Sequence, residues 1–111
     1  MHLNDSFRDC PVMTVARIIG SKGKILILYR LLDRSWRFNE LKRDIATISP
    51  KVLTENLRSL EADGLVVRTV HNIMPPHVEY ALSDLGQSMR PLLLEMQAWG
   101  VSYLNQIEKP V

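Results

Sequence analysis

The sequence predicts a mainly helical α+β fold, in which a helix capped at both ends stands between a short helix and a β-hairpin, with further helices behind them. Three observations predict it. The first is Ile48-Ser-Pro-Lys-Val-Leu-Thr-Glu-Asn-Leu-Arg-Ser-Leu-Glu-Ala-Asp-Gly64, which reads as one helix from Pro50 to Asp63. Ser49 offers a hydroxyl to an orphan backbone N–H, Pro50 suits the first helical position, and Gly64 suits a left-handed C-cap. The second is the sequel to Gly64, a β-branched run, a proline-bearing loop and an alternating run. The third is the apolar series after Ser83, too rich to be covered by one small domain. Helix, turn, capped helix and hairpin is the order of a winged helix-turn-helix, whose second helix enters the DNA major groove.

Taken in order, residues 1–9 are polar and irregular and read as a flexible N-terminal arm. Cys10-Pro11-Val12 leads into a short apolar helix with Val12, Val15, Ala16, Ile18 and Ile19, ending at Gly20. After a Ser21-Lys22-Gly23 joint, Lys24 to Asp33 is apolar nearly all round, which predicts a central helix packed on several sides. Trp36-Arg37-Phe38 reads as a brief strand that pairs with the later hairpin. Asn39 reads as the cap of a short helix, Glu40 to Ile45, with Leu41 and Ile45 facing inward. Ala46-Thr47-Ile48 is the turn into the recognition helix. There Leu53, Leu57 and Leu60 share one face at i, i+4 and i+7, and Lys51, Thr54, Glu55 and Arg58 fall on the opposite one.

Val66-Val67-Arg68-Thr69-Val70 reads as a strand, and Val78, Tyr80 and Leu82 alternate as a second. Between them His71-Asn-Ile-Met-Pro-Pro76 is too long for a two-residue turn and forms the wing. Ser83 can cap a last helical region carrying Leu85, Met89, Leu92, Leu93, Met96, Trp99, Tyr103, Leu104 and Ile107. Pro91 removes a backbone donor there, so a kink or a break into two helices is expected.

At 111 residues with 46% hydrophobic content, the chain suffices for one domain and not two. Residues 10–111 read as that domain, with 10–20 and 83–107 as dimerisation helices and 36–82 as the DNA-binding core and wing. The net charge of +2 conceals a division: ten Lys or Arg face six acids between Lys22 and Arg68, leaving +4 in the middle and −2 at the ends. A polyanion bound by the middle fits this division. No basic start with a long apolar run marks a secretory signal, no run reaches membrane length, and one cysteine cannot form an internal disulfide. A cytoplasmic protein without membrane contact is expected. Among the chemistry-bearing residues no nucleophile–base pair, phosphate loop or carboxylate pair stands out, so no enzyme and no cofactor is expected. Cys10, His2, His71 and His77 lack a tight ligand spacing, so no metal site is expected either.

With its pieces in this order the sequence resembles the HxlR-type regulators, a MarR-like family of bacterial and archaeal winged-helix transcription factors. The resemblance runs from Cys10 to Gly100. It is carried by Cys10-Pro11-Val12, Ile19-Gly20, Arg37-Phe38 with Glu40-Leu41, Ile48-Ser49-Pro50-Lys51, Leu53-Thr54, Leu57-Arg58 with Leu60-Glu61, Asp63-Gly64-Leu65, Arg68, Pro75-Pro76, Val78-Glu79-Tyr80, Leu82, Gly86, Pro91 and Trp99-Gly100. Two departures stand out. Ser21-Lys22-Gly23 replaces the family's Gly-Lys-Trp, leaving a gap that Trp36 is a candidate to fill, and His77 stands where the family carries Arg after the prolines.

DNA binding needs donors that hold phosphates and side chains that reach base edges. Lys51, Thr54 and Arg58 are the candidates for bases, and Ser49, with the helix N-terminus, for a phosphate. Glu55 has two readings, an acceptor from cytosine and an i, i+4 partner of Lys51, of which the second is favoured. Arg37 and Asn39 are candidates for the DNA backbone, and Arg68, His71 and His77 for wing contacts. The dimer seam is assigned to Val12, Val15, Leu92, Leu93, Met96, Trp99, Tyr103 and Leu104. The expected function is therefore a homodimeric regulator on a palindromic operator of double-stranded DNA; that it represses is implied by the resemblance. Some members of the resembled family sense oxidants, quinones or aldehydes through a cysteine in this Cys-Pro context, which makes Cys10 a redox or electrophile-sensing candidate. Arg8 and the helix N-terminus favour its thiolate, and Asp9 opposes it. The alternatives are a buried inert Cys10 with a small non-redox ligand as the signal, and a winged-helix protein–protein module.

Overall fold

The computed structural model describes residues 10–108; the N-terminal arm expected at 1–9, with His2, Arg8 and Asp9, lies outside the described residues. Helix α1 spans Pro11–Ile19, α2 Lys22–Leu31, β1 Trp36–Arg37, α3 Phe38–Asp44, α4 Pro50–Ala62, β2 Val66–His71, β3 His77–Leu82, α5 Asp84–Gln87 and α6 Arg90–Glu108. This is a winged helix-turn-helix with a small antiparallel sheet and a long C-terminal helix. Sheet order is β1-β3-β2, with Trp36 opposite Tyr80, Arg68 opposite Tyr80 on the other side, and His71 opposite His77.

Helix α4 is the recognition helix of the sequence reading. The Ser49 hydroxyl accepts the Val52 N–H at 3.2 Å, and Pro50 opens the helix. Gly64 ends it at φ +78°, a left-handed conformation that costs a glycine nothing. Leu53, Leu57 and Leu60 are buried, and they meet Ile27, Leu28 and Leu31 of α2 in a core that also holds Leu41, Ile45, Leu65, Val66 and Tyr80. Packing of one leucine face against the apolar α2 leaves the opposite face to solvent, so burial fixes which residues α4 presents.

Three junctions differ from the sequence reading. Asn39 is not a cap: α3 begins at Phe38 with Arg37 as its N-cap, and the Glu40 carboxylate accepts the Arg37 N–H at 2.8 Å. Pairing of Trp36 and Arg37 with β3 ends the extended stretch two residues earlier than an Asn39 cap requires. Gly23 lies inside α2, and its neighbours are Asn56 of α4 and Ile48, so Trp36 does not fill this place; its indole N–H donates to the Arg30 carbonyl at 2.8 Å. Leu93, assigned above to a dimer seam, is fully buried in the core. The Tyr29 hydroxyl donates to the Leu93 carbonyl, which fastens the start of α6 to α2.

The expected break in the last helical region occurs at Ser88 and Met89, with Pro91 in the first turn of α6, where its missing N–H costs no hydrogen bond. Ser83 caps α5 by accepting the Gly86 N–H at 3.0 Å and donates its own proton to the Gly64 carbonyl at 2.6 Å. Gly86 is buried so close to β2 that an added Cβ would lie 2.2 Å from the Leu65 carbonyl oxygen. The radius of gyration is 16.3 Å, well above the roughly 13 Å of a compact chain of 100 residues. The C-terminal half of α6 exposes Trp99, Val101, Tyr103, Leu104 and Ile107.

Replacing Leu93 by alanine is expected to lower the unfolding free energy by about 2–5 kcal/mol in a urea titration, since it opens a cavity in the core. A loss below about 1 kcal/mol would place Leu93 outside that core. Gly86→Ala is expected to cost about 1–3 kcal/mol by the same measurement, because the backbone of Leu65 must give way.

Candidate nucleic-acid interface

Helix α3, helix α4 and the hairpin enclose a cleft of about 1040 Å³. Arg37, Asn39 and Arg43 line it from the α3 side, Thr54 and Arg58 from α4, and Arg68 and His77 from the strands. Pro75 and Pro76 form its far lip. Packing at the three sources sets this convergence. Leu41 and Ile45 bury the inner face of α3, the leucine row buries the inner face of α4, and the β2–β3 register sets Arg68 beside Tyr80.

The electrostatics of the cleft follow from which cations are already paired. Arg30 pairs with Asp44, Arg34 with Glu40, and Arg17 with Asp63, and none of these three arginines lines the cleft. Arg34 also lies 3.8 Å from the centre of the Trp36 ring. Arg37, Arg43, Arg58 and Arg68 have no carboxylate partner among the described residues, and all four line the cleft. Two acids, Glu40 and Glu61, share the lining, and Glu40 is engaged by Arg34. The Arg37 backbone N–H, with Arg34, holds the Glu40 carboxyl below the usual carboxylate range against the opposing effect of partial burial. The cleft therefore presents guanidinium groups whose charge is not spent inside the protein.

The sequence-predicted residues divide into two groups. Arg37, Asn39, Thr54, Arg58, Arg68 and His77 line the cleft, whereas Ser49 and Lys51 lie at the exposed N-terminal end of α4. The Ser49 oxygen is engaged with Val52, but its hydroxyl proton remains available to a phosphate. The Thr54 hydroxyl donates to the Pro50 carbonyl at 2.9 Å, which leaves its methyl group and lone pairs for a base edge. Glu55 is exposed and forms no ion pair with Lys51 among the described residues, contrary to the pairing read from their spacing. Arg43 was missed, although it lies four residues after Asn39 on the same face of α3, a periodicity the sequence does display.

His71 lies outside the cleft lining, and the two wing histidines turn to each other. Their rings stack at 4.6 Å between centres, and His71 Nε2 lies 2.7 Å from Glu79 Oε2. The Ser35 hydroxyl donates to the other carboxylate oxygen of Glu79 at 2.6 Å. That hydrogen bond, followed by His71 and His77, holds the Glu79 carboxyl below the usual carboxylate range, and partial burial opposes it. The sequence reading found no ligand spacing among the histidines; the hairpin register supplies the proximity that linear spacing does not.

Cys10 is half-buried at the N-cap position of α1, and its carbonyl accepts the Thr14 N–H at 3.0 Å. Helix α1 buries no residue fully, and Val12 is 76% exposed. Of the other residues assigned to a seam, Leu92, Trp99, Tyr103 and Leu104 are exposed, Val15 is half-buried, and Met96 packs partly against the core. Trp99 and Tyr103 stack on one another at 5.2 Å.

Known proteins share this arrangement. A family model for HxlR-like helix-turn-helix domains matches residues 18–108. The uncharacterized HTH-type transcriptional regulator YdeP of Bacillus subtilis is 42% identical over 106 residues, 96% of this chain and 83% of that protein. Among solved structures, the redox regulator HypR in its reduced form superposes with a TM-score of 0.84 at 40% identity, over 91% of this chain and all of the other. The reduced form of the transcriptional regulator YodB of B. subtilis gives a TM-score of 0.75 at 35% identity, over 92% of this chain and 97% of that one. The chain belongs to the HxlR-like helix-turn-helix family and is a transcriptional regulator of that type.

Proposed function

We propose that this regulator binds a palindromic DNA operator as a homodimer, represses from it, and responds to oxidants or electrophiles through Cys10. The observation that carries the DNA reading is the cleft beside α4, with its four arginines that no carboxylate neutralises among the described residues. Guanidinium groups suit both the phosphate backbone and the O6 and N7 acceptors of guanine. Arg58, Thr54 and Lys51 read bases from α4, Ser49, Arg37 and Asn39 hold phosphates, and Arg68 and His77 carry the wing over the backbone. Two-fold symmetry would set the two copies of α4 about 34 Å apart, one turn of DNA.

The dimer reading rests on two apolar surfaces without cover in one chain, the outer face of α1 and the C-terminal half of α6. Val12 and Val15 from α1, and Leu92, Met96, Trp99, Tyr103 and Leu104 from α6, supply the seam; Leu93 does not. The Cys10 reading rests on its placement on α1, on the proposed seam, and on the redox-regulator names of HypR and, through its diamide-treated structure, the oxidant treatment of YodB. Two Cys10 thiols brought together would give up two protons and two electrons to diamide, forming one S–S bond and the reduced hydrazide. No helix among the described residues is long and apolar enough to cross a membrane.

The DNA reading is tested on sequences selected by the purified protein from a random pool. Arg58→Ala is expected to weaken the selected sequence by about 1–3 kcal/mol and to relax preference at one base pair, and Lys51→Ala to do so at another; a loss uniform across sequences would move Lys51 from bases to phosphate. Unchanged affinity in both variants would remove α4 from the DNA. Sedimentation equilibrium is expected to return twice the 12.7 kDa chain mass, and a monomer at micromolar concentration would overturn the seam. Diamide is expected to change DNA affinity in the wild type and not in Cys10→Ser; the same response in both would return Cys10 to a packing role.

A further inference from the structure

The wing contains two donors that the proposed DNA contacts do not use, His71 and Glu79, beside His77, which they do. His71 ends β2 and His77 opens β3, and the antiparallel register pairs them, so both imidazoles leave the sheet on the same face as Glu79. His71, His77 and Glu79 each offer one ligand atom, and these atoms all lie within 4.8 Å of one another. The geometry points to a binding site for a divalent transition-metal ion of the zinc class, formed by His71 Nε2, His77 Nε2 and Glu79 Oε2 at the root of the wing.

Two of the three donors are oriented for that role, and the third, His71 Nε2, donates to Glu79 Oε2 at 2.7 Å, so an ion takes the place of that proton, which passes to His71 Nδ1 or to solvent. The Nδ1 atom of His77 lies 3.3 Å from the Pro75 carbonyl, which can only accept; the tautomer with its proton on Nδ1 satisfies that contact and turns the Nε2 lone pair toward a ligand. Metal-bound histidines are commonly oriented by such a bond from the other ring nitrogen. The Ser35 hydroxyl, held 44 residues away in sequence, fixes Glu79 Oε1 and leaves Oε2 to face the imidazoles. Tetrahedral zinc with N and O ligands at about 2.0–2.1 Å sets ligand atoms about 3.3 Å apart. The distances from Glu79 Oε2 to the two Nε2 atoms are 2.7 and 4.0 Å, on either side of that value, so small side-chain rotations reach it. Two imidazoles and one carboxylate form a borderline donor set that suits zinc, nickel or copper and not magnesium or calcium. The three side chains are half-buried, which leaves outer coordination positions to water.

An ion here joins the end of β2 to the start of β3 and closes the loop of residues 72–76 between them. The site uses none of the residues assigned to bases, so it is independent of the DNA reading apart from His77, and it is tested without DNA. Calorimetric titration of the full chain with ZnCl2 is expected to show one ion per chain, and CoCl2 is expected to give visible ligand-field absorption from mixed nitrogen and oxygen donors. His71→Gln and Glu79→Gln are each expected to weaken zinc at least tenfold, Ser35→Ala about tenfold through the lost orientation of Glu79, and Cys10→Ser not at all; circular dichroism checks that each variant is folded. In the unmodified chain, zinc is expected to protect His71 and His77 from diethylpyrocarbonate, read by peptide mass spectrometry. Absence of saturable uptake, uptake that survives both substitutions, loss of uptake in Cys10→Ser, or unprotected histidines would each overturn the site.

Discussion

The junction where α4, β2 and α5 meet holds the remaining parts in their places. Gly64 turns the chain out of the recognition helix in a left-handed conformation, and its carbonyl accepts the proton of Ser83, which itself caps α5. The Leu65 carbonyl accepts the Ser83 N–H at 3.0 Å, and Gly86 rests against it without a Cβ. Residues 64–65, which join α4 to β2, are thus tied through their carbonyls to residues 83–86, which join β3 to α5, and such ties leave little rotational freedom. The recognition helix, the hairpin that forms the wing, and the helix that leads to the C-terminus keep one mutual arrangement because they share this point. A cleft lined from three elements needs that constancy, since its arginines converge only while the elements do.

Charge within the fold obeys a division of labour. Cations outside the cleft, Arg17, Arg30 and Arg34, find carboxylates, and Arg34 also covers the Trp36 ring. Exposed pairs of this kind add little stability, typically below about 1 kcal/mol. Their effect is on the field: they neutralise acids, Glu40 of the cleft lining among them, and leave Arg37, Arg43, Arg58 and Arg68 unpaired. The net charge of +2 reports almost none of this, because the paired charges cancel in the sum without cancelling in space.

Much of the fold was legible because its signals are local. Ser49, Pro50 and Gly64 bracket α4 by cap chemistry that needs no tertiary context, and the alternation at Val78, Tyr80 and Leu82 marks β3 by period alone. What depended on partners was not legible. Asn39 resembles a cap in isolation, but pairing of Trp36 and Arg37 with β3 moves the helix start to Phe38. Leu93 belongs to an apolar series on which periodicity cannot say which stripe meets the chain's own core; Tyr29 and the α2 leucines decide it. His71 and His77 are six positions apart in the chain, and only the hairpin register makes them neighbours. Arg43 lay within reach of helical periodicity, four residues after Asn39 on the same face of α3.

Helix α6 has one end buried and the other uncovered. Its 19 residues form a rod about 28 Å long at 1.5 Å per residue. Leu93 and the Tyr29 hydroxyl fasten one end to the body that carries the cleft, and Trp99, Tyr103 and Leu104 project from the other. A rod held in this way is a lever. A tilt of five degrees about its outer end displaces the rooted end by about 2–3 Å for that length, comparable to a hydrogen bond. A surface that settled against the outer half of α6 would therefore act on the body that carries the cleft through the length of this rod, without touching the cleft.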